Sequence, residues 1–178
     1  MRHVALAVAL MLLSGCNPRV ESTPAPSPSV RPSSGGVLLK ISGHGTAAQP
    51  VRIVGQQRGN RRQFDLLARS YESIGAQGSE RAQFEHVHIT FYSKDGSTLT
   101  GEAPQAVWDQ VANTIELRGG VTARNNTGTT LTCDTLLYDN ATEMIHGTGH
   151  AMITSATGFR ASGNRFDSNV SLTHTRMQ

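Results

Sequence analysis

The sequence predicts an all-β domain, a meander of short antiparallel strands, on three observations. Apolar and polar residues alternate with a period of two in several segments, turn signals separate those segments at regular spacing, and no window of the domain keeps a 3.6-residue apolar period. Composition agrees: a charged share of 16%, 18 glycines, many threonines and few lysines describe a β-rich protein better than a helical one.

The chain opens on a leader. Arg2 and His3 give a basic start, residues 4–13 are apolar, and Leu13-Ser14-Gly15 leads to Cys16. Ten apolar residues in a helix rise only about 15 Å, half of a hydrocarbon core of roughly 30 Å, so this is an export signal and not a span. The Leu-Ser-Gly-Cys stretch resembles a bacterial lipobox, which implies cleavage after residue 15 and acylation of Cys16. Buried methylenes at about 0.8 kcal/mol each would then hold the protein to a membrane. Residues 16–36 carry five prolines among serines, too little apolar surface to offset ordering, and read as an extended linker reaching up to roughly 60 Å. A single domain, residues 37–178, follows. With Cys16 acylated, Cys133 has no partner, so no disulfide framework supports the fold.

Within the domain, Val37, Leu39 and Ile41 fall on one strand face. Val87, Ile89 and Phe91 fall on one face with His86, His88 and Thr90 opposite, and Ile115, Leu117, Gly119 and Val121 repeat the pattern. Turns are expected at Lys94-Asp95-Gly96, Gly119-Gly120, Asn125 to Gly128, Asp139-Asn140, Thr157-Gly158 and Ser162-Gly163-Asn164. Superposing the turns exposes a repeat of about thirty residues beginning at Gly96, Gly128 and Gly158. Each copy has an apolar residue soon after the glycine (Leu99, Leu131 and, slightly early, Phe159), then an aromatic followed by aspartate: Trp108-Asp109, Tyr138-Asp139 and Phe166-Asp167. A weaker copy lies at Ala68 and Tyr71-Glu72. The aspartates suit turns, where a carboxylate accepts from backbone N–H groups two residues on.

The pattern Leu131-x-Cys133-x-x-Leu136-x-Tyr138-Asp139, with a return through Ile145 and Gly147, resembles the OstA-like repeats of lipopolysaccharide-transport proteins. With the leader and a single domain, the chain is most similar to the LptC-type family, from about Phe64 to Thr175. The resemblance implies a half-open antiparallel β-jellyroll of two stacked sheets whose inner faces take acyl chains. It implies a periplasmic, membrane-anchored component that receives lipopolysaccharide from an export ABC transporter and passes it to an LptA-type bridge by edge-strand pairing. The bridge would meet the strands near Phe159 to Thr173, and the periplasmic domain of the transporter those near Val51 to Val54. Family members usually keep an uncleaved transmembrane helix where this chain has its lipobox. The resemblance implies the inner membrane, whereas Asn17 after the cysteine favours the outer one by the enteric sorting rule, and both stay open. The inner-face candidates are Val87, Ile89, Phe91, Leu99, Trp108, Ile115, Leu117, Val121, Leu131, Leu136, Tyr138, Ile145, Ile153, Phe159, Phe166 and Leu172. Taken singly, each reads first as a core residue.

Other chemistries find little footing. The net charge of +3 is spread along the chain with no basic cluster interleaved with aromatics, so nucleic acid is not expected as a partner. Neither G-x-x-x-x-G-K-[ST] nor G-x-S-x-G occurs, so the chain is neither the motor nor a hydrolase of that kind, and no enzyme activity or cofactor is expected. His86 and His88, even with His44, His146, His150 and His174, read as solvated surface and not as a metal site. Cys133, in an alternating strand, reads as a small core residue. The rival reading is a parallel β-helix that binds or cleaves polysaccharide, since Thr, Asn and Gly-rich repeats suit that fold too. Its rungs would recur at about 20 to 25 residues with stacked acidic residues, whereas the spacing here is longer.

Overall fold

A computed structural model describes residues 39–57, 61–75 and 80–178. The leader, Cys16, the linker and Val37 lie outside them. The strands are β1 (Leu39–His44), β2 (Val51–Gln57), β3 (Arg61–Ala68), β4 (Ser70–Gly75), β5 (Arg81–Tyr92) and β6 (Thr98–Asp109), then β7 (Thr114–Asn125), β8 (Thr130–Asp139), β9 (Met144–Thr154), β10 (Arg160–Asn169) and β11 (Thr175–Met177). All pairings are antiparallel. One sheet runs β1-β4-β5-β6-β7-β8-β9-β10-β11, and β3 joins β5 as well, carrying β2 outside it. A parallel β-helix, the rival architecture, is therefore not what this sequence forms.

The sheet folds over itself because nearly every long strand is broken at the same level. Registers shift between Glu102 and Gln105, between Arg118 and Val121, between Thr132 and Thr135, and between Gly163 and Arg165. On β5 the break is His86, with φ of 52°, and on β9 it is His150, with φ of 45°. Gly119 and Gly120 supply the break on β7 with φ of 89° and 91°, a region in which glycine alone is unstrained. A bulge adds an unpaired residue and bends its strand, and a row of bulges across neighbours makes a crease. The chain respects this crease even where it is interrupted: β4 pairs with the first half of β5, and β3 with the second half. Gly119-Gly120 and Ser162-Gly163-Asn164 are thus bulges inside continuous strands and not the turns that their composition suggests.

Two layers result. The first holds β1, β4, the first half of β5, the corresponding halves of β6 to β10, and β11; the second holds β2, β3 and the remaining halves. Side-chain size fits the wedge between them. The second layer's row beside the crease is Val87, Ala103, Val121, Cys133 and Ala151, all small and buried. Larger residues lie further out, where Phe91 of the second layer meets Tyr138 of the first at 4.3 Å between ring centroids, and Phe64 meets Trp108 edge-on at 6.0 Å. The sheet stays open, since β1 and β2 at one end and β11 at the other do not pair with each other. This is the half-open β-jellyroll.

Candidate functional site

Alternation places one face of each strand between the layers, and the expected inner-face residues gather there. Ile89, Phe91, Leu99, Ile115, Leu117, Leu131, Leu136, Tyr138 and Ile145 are completely buried, and Val87, Val121, Ile153 and Phe166 nearly so. Trp108 and Leu172 are half-buried against the same cluster. Phe159 is not part of it: it is 67% exposed at the start of the β9–β10 return, where its N–H donates to Ser155 Oγ at 3.1 Å. The position three residues after the repeat glycine, held by Leu99 and Leu131, is taken in the third copy by Ala161, which pairs with Ile153.

Register also moves the third aromatic–aspartate pair. Trp108 pairs with Ile115, Tyr138 with Ile145, and Ile145 in turn with Ser168, so Ser168-Asn169 occupies the place of Tyr138-Asp139. Asp109 and Asp139 do cap their turns: Asp109 Oδ1 accepts from Ala112 N at 2.9 Å, and Asp139 Oδ1 from Ala141 N at 2.7 Å. In the third copy Asn169 Oδ1 does this for Thr173 N and His174 N, while Asp167 instead meets His146 Nδ1 at 2.6 Å on the outer face.

The interior also includes residues that periodicity did not single out. Phe64, Leu66 and Ala68 of β3, Ala82 and Phe84 of β5, Ala106 of β6 and Val170 after β10 are all buried. Phe84 and Val87 both point inward with Glu85 and His86 exposed between them, a spacing that accompanies the left-handed backbone of His86 and that breaks a strict period of two.

Opposite the crease, hairpin ends of the two layers are tied together by polar side chains. Glu143, in the β8–β9 turn, is the centre of the larger tie. Its Oε1 lies 2.6 Å from Arg61 Nη2 and 3.4 Å from Lys94 Nζ, and its Oε2 accepts from Ser93 Oγ and Lys94 N, each at 3.2 Å. Burial disfavours the Glu143 carboxylate, but the Lys94 N–H, the Arg61 hydrogen bond and the two positive charges outweigh it and hold the group below the usual glutamate range. Beside it Gln63 Nε2 donates to Asn140 O at 3.2 Å. Further along, Asn125 Nδ2 donates to Ser171 O at 2.7 Å while its Oδ1 caps the β7–β8 turn through Thr127 N and Thr129 N.

Three polar groups near the interior are chemically quiet or unpartnered. Burial, with the nearby Asp134 charge, pushes the Cys133 thiol up to about 12, which leaves it protonated and unreactive at neutral pH. Burial first, then the Glu143 charge, pushes the Tyr138 phenol up to about 12 as well. The Tyr138 hydroxyl and Asn140 Oδ1 are buried without a protein hydrogen-bond partner.

One cleft on the outside, of about 320 Å³, is bordered by Ser42, Glu72, Glu85 and Arg118. His86 and His88 lie on the outer surface, His88 with Nδ1 3.3 Å from Glu102. Among the described residues, no three His, Cys, Asp or Glu side chains are grouped as metal ligands would be.

The two layers bury one apolar cluster between them, and the described strands at both ends of the sheet keep an unpaired edge. No curated protein matches the chain. A family model described as lipopolysaccharide-assembly, LptC-related, matches residues 51–177, well over half of the chain.

Proposed function

Because the chain belongs to the LptC-related lipopolysaccharide-assembly family, a family of periplasmic transport components, we propose that it is a lipid-anchored shuttle that shields acyl chains between its two layers. It takes lipopolysaccharide from an export ABC transporter and gives it to an LptA-type bridge. The observation that carries this reading is the buried apolar cluster that spans β5, β6, β7, β8, β9 and β10, with Asn125 and Ser168 as polar members of the same interior, in a sheet that does not close. Each methylene moved from water into such a space gains about 0.8 kcal/mol, so chains of a dozen carbons need a shield to cross an aqueous gap. The interior is filled by its own side chains, so acyl chains enter by separating the layers at the mouth, and the same packing favours their release.

Partners add at strand edges, where unpaired N–H and C=O groups accept a new strand. At the N-terminal end, among the described residues, β2 pairs only with β3 and β1 only with β4, which supports docking of the transporter's periplasmic domain there, with Val51 to Val54 on the edge of the second layer. At the other end β11 covers Phe166 to Ser168 of β10, Gln178 continues the pairing to Arg165 and Asn164, and no described strand pairs with the outer side of residues 160–163. That stretch and β11 support bridge recruitment. Cys16 supplies the mooring.

Mass spectrometry of protein purified from its native envelope tests the reading. Lipopolysaccharide should accompany the wild-type chain, and cleaved glycan should not accumulate; envelope protein free of lipopolysaccharide would sink it. Alternate residues of a strand donate to opposite sides. Of Ala161→Pro and Ser162→Pro, the one that removes an outward N–H should therefore keep the fold and lose the bridge protein in co-purification. Unchanged recruitment by both would count against the C-terminal edge.

A further inference from the structure

The mouth is fastened in two ways. At the β7–β8 end a neutral amide, Asn125, spans the layers. At the β8–β9 end the fastening is ionic, and a single carboxylate takes both cations that reach it from the second layer. Glu143 is an unexpected residue for the job, because its backbone sits at φ of 59°, where asparagine or glycine would be less strained. Its side chain is only 10% exposed, Lys94 is 65% exposed, and Arg61 lies between them in exposure. The cations are thus reachable from outside while the carboxylate that neutralises them is not.

Just inside this clasp two polar atoms wait without protein partners, the Tyr138 hydroxyl and Asn140 Oδ1. Both belong to the segment that carries Glu143, and the charges of Glu143 and Arg61 act on the Tyr138 phenol. A buried hydroxyl with no partner costs stability.

We propose that Arg61 and Lys94 form a docking point for the phosphate of a phosphorylated amphiphile, which displaces Glu143 and so frees the β8–β9 turn from the second layer. Phosphate offers the guanidinium fork and the ammonium more negative charge and more acceptor oxygens than a carboxylate does. Once Glu143 is displaced from Arg61, Lys94 and Ser93, Gln63 Nε2 to Asn140 O still ties this end, and acyl chains that enter there reach Phe91, Leu99 and Tyr138 first. Headgroup recognition is thereby coupled to opening. The proposal rests on the reading of the interior as an acyl-chain carrier.

The test uses the full chain, with binding of diphosphoryl lipid A compared with that of the same lipid stripped of phosphate. Arg61→Gln should weaken binding of the phosphorylated form about tenfold, and Lys94→Gln, at a more exposed site, about threefold. Both should leave the dephosphorylated form bound at least as tightly as by the wild-type chain, since neither cation meets it and each loss loosens the clasp. Glu143→Gln should strengthen uptake of both forms by loosening the clasp. Lys94→Gln removes only an exposed side chain, so it decides the matter should Arg61→Gln fail to fold. Pyrophosphate in excess should not displace bound lipid A, because it has the charge without the chains; full displacement would assign the cations to free phosphate and overturn the proposal. Equal losses for both lipid forms, or none for the phosphorylated one, would overturn the docking site while leaving the carrier reading intact. A wild-type chain that binds neither form would overturn both.

Discussion

Replacing Gly147 by alanine puts the packing of the two layers to a quantitative test. Gly147 on β9 pairs with Phe166 on β10, and the ring occupies the space beside the glycine. A Cβ built at residue 147 would lie 1.6 Å from Phe166 Cε1 and 2.4 Å from Cδ1 and Cζ, far inside contact distance. Phe166 is 1% exposed and cannot yield in place. Expelling the ring forfeits what a buried Phe→Ala change forfeits, about 3–5 kcal/mol; shifting the strand costs about 1–3 kcal/mol as overpacking. The cheaper route sets the outcome, so Gly147→Ala should lower stability by about 2–3 kcal/mol. Gly101→Ala is the matched control, because its Cβ would lie 3.4 Å from Leu117 Cδ1 and 3.7 Å from Ala123 and Ile89, ordinary contacts. It should change stability by less than about 0.5 kcal/mol. Urea unfolding followed by the fluorescence of Trp108, the single tryptophan, reads both. In a Phe166→Ala background the Gly147→Ala penalty should vanish, since the methyl then enters the space the ring left. Equal stabilities for the Gly147 and Gly101 variants, or an undiminished penalty without the ring, would refute the account of this contact.

Tyr138→Phe removes a buried hydroxyl that has no protein partner and should raise stability by about 1 kcal/mol in the same assay; a loss of that size would mean the hydroxyl is bonded in solution. Glu143 and Asp65 have folded-state pKa values below their unfolded ones, Asp65 through its hydrogen bonds from Arg52. Their contribution is therefore complete above the unfolded values of about 4 and lost as pH falls through the lower folded values. Wild type should lose stability across that acid range, and Glu143→Gln should lose less; parallel curves would contradict the clasp. Cys133, protonated and buried, should resist alkylation at neutral pH and react at the rate at which the layers part, so that Glu143→Gln accelerates labelling. Identical labelling rates would separate the clasp from the opening.

Much of the architecture was legible because a half-buried strand writes its faces into the sequence. The alternations at Val87-Ile89-Phe91 and Ile115-Leu117 each mark a true inner row, and Asp139 behaves as the turn aspartate its neighbours suggest. The crease was not legible, because the glycines that bend a strand look like the glycines that end one. Gly119-Gly120 and Gly163-Asn164 mimic turns, and a row of bulges becomes visible only when strands are set side by side. The same two-residue offset transferred the third repeat's turn cap from Asp167 to Asn169 and set Phe159 outside the interior. Nor does periodicity find Glu143, whose importance lies in cations 82 and 49 positions away along the chain. Phe64 and Phe84 escaped for a related reason: each belongs to a half-strand whose partner half lies across a break.

The central claim is that the inner face of this domain carries acyl chains in the envelope. A photo-crosslinking residue placed at Leu131 or Ile145, both completely buried between the layers, tests it in living cells, with Phe159 on the outside as the reference position. The account predicts lipopolysaccharide adducts from Leu131 and Ile145 and none from Phe159. Adducts at Phe159 alone, or at no position while the lipid is being exported, would contradict it.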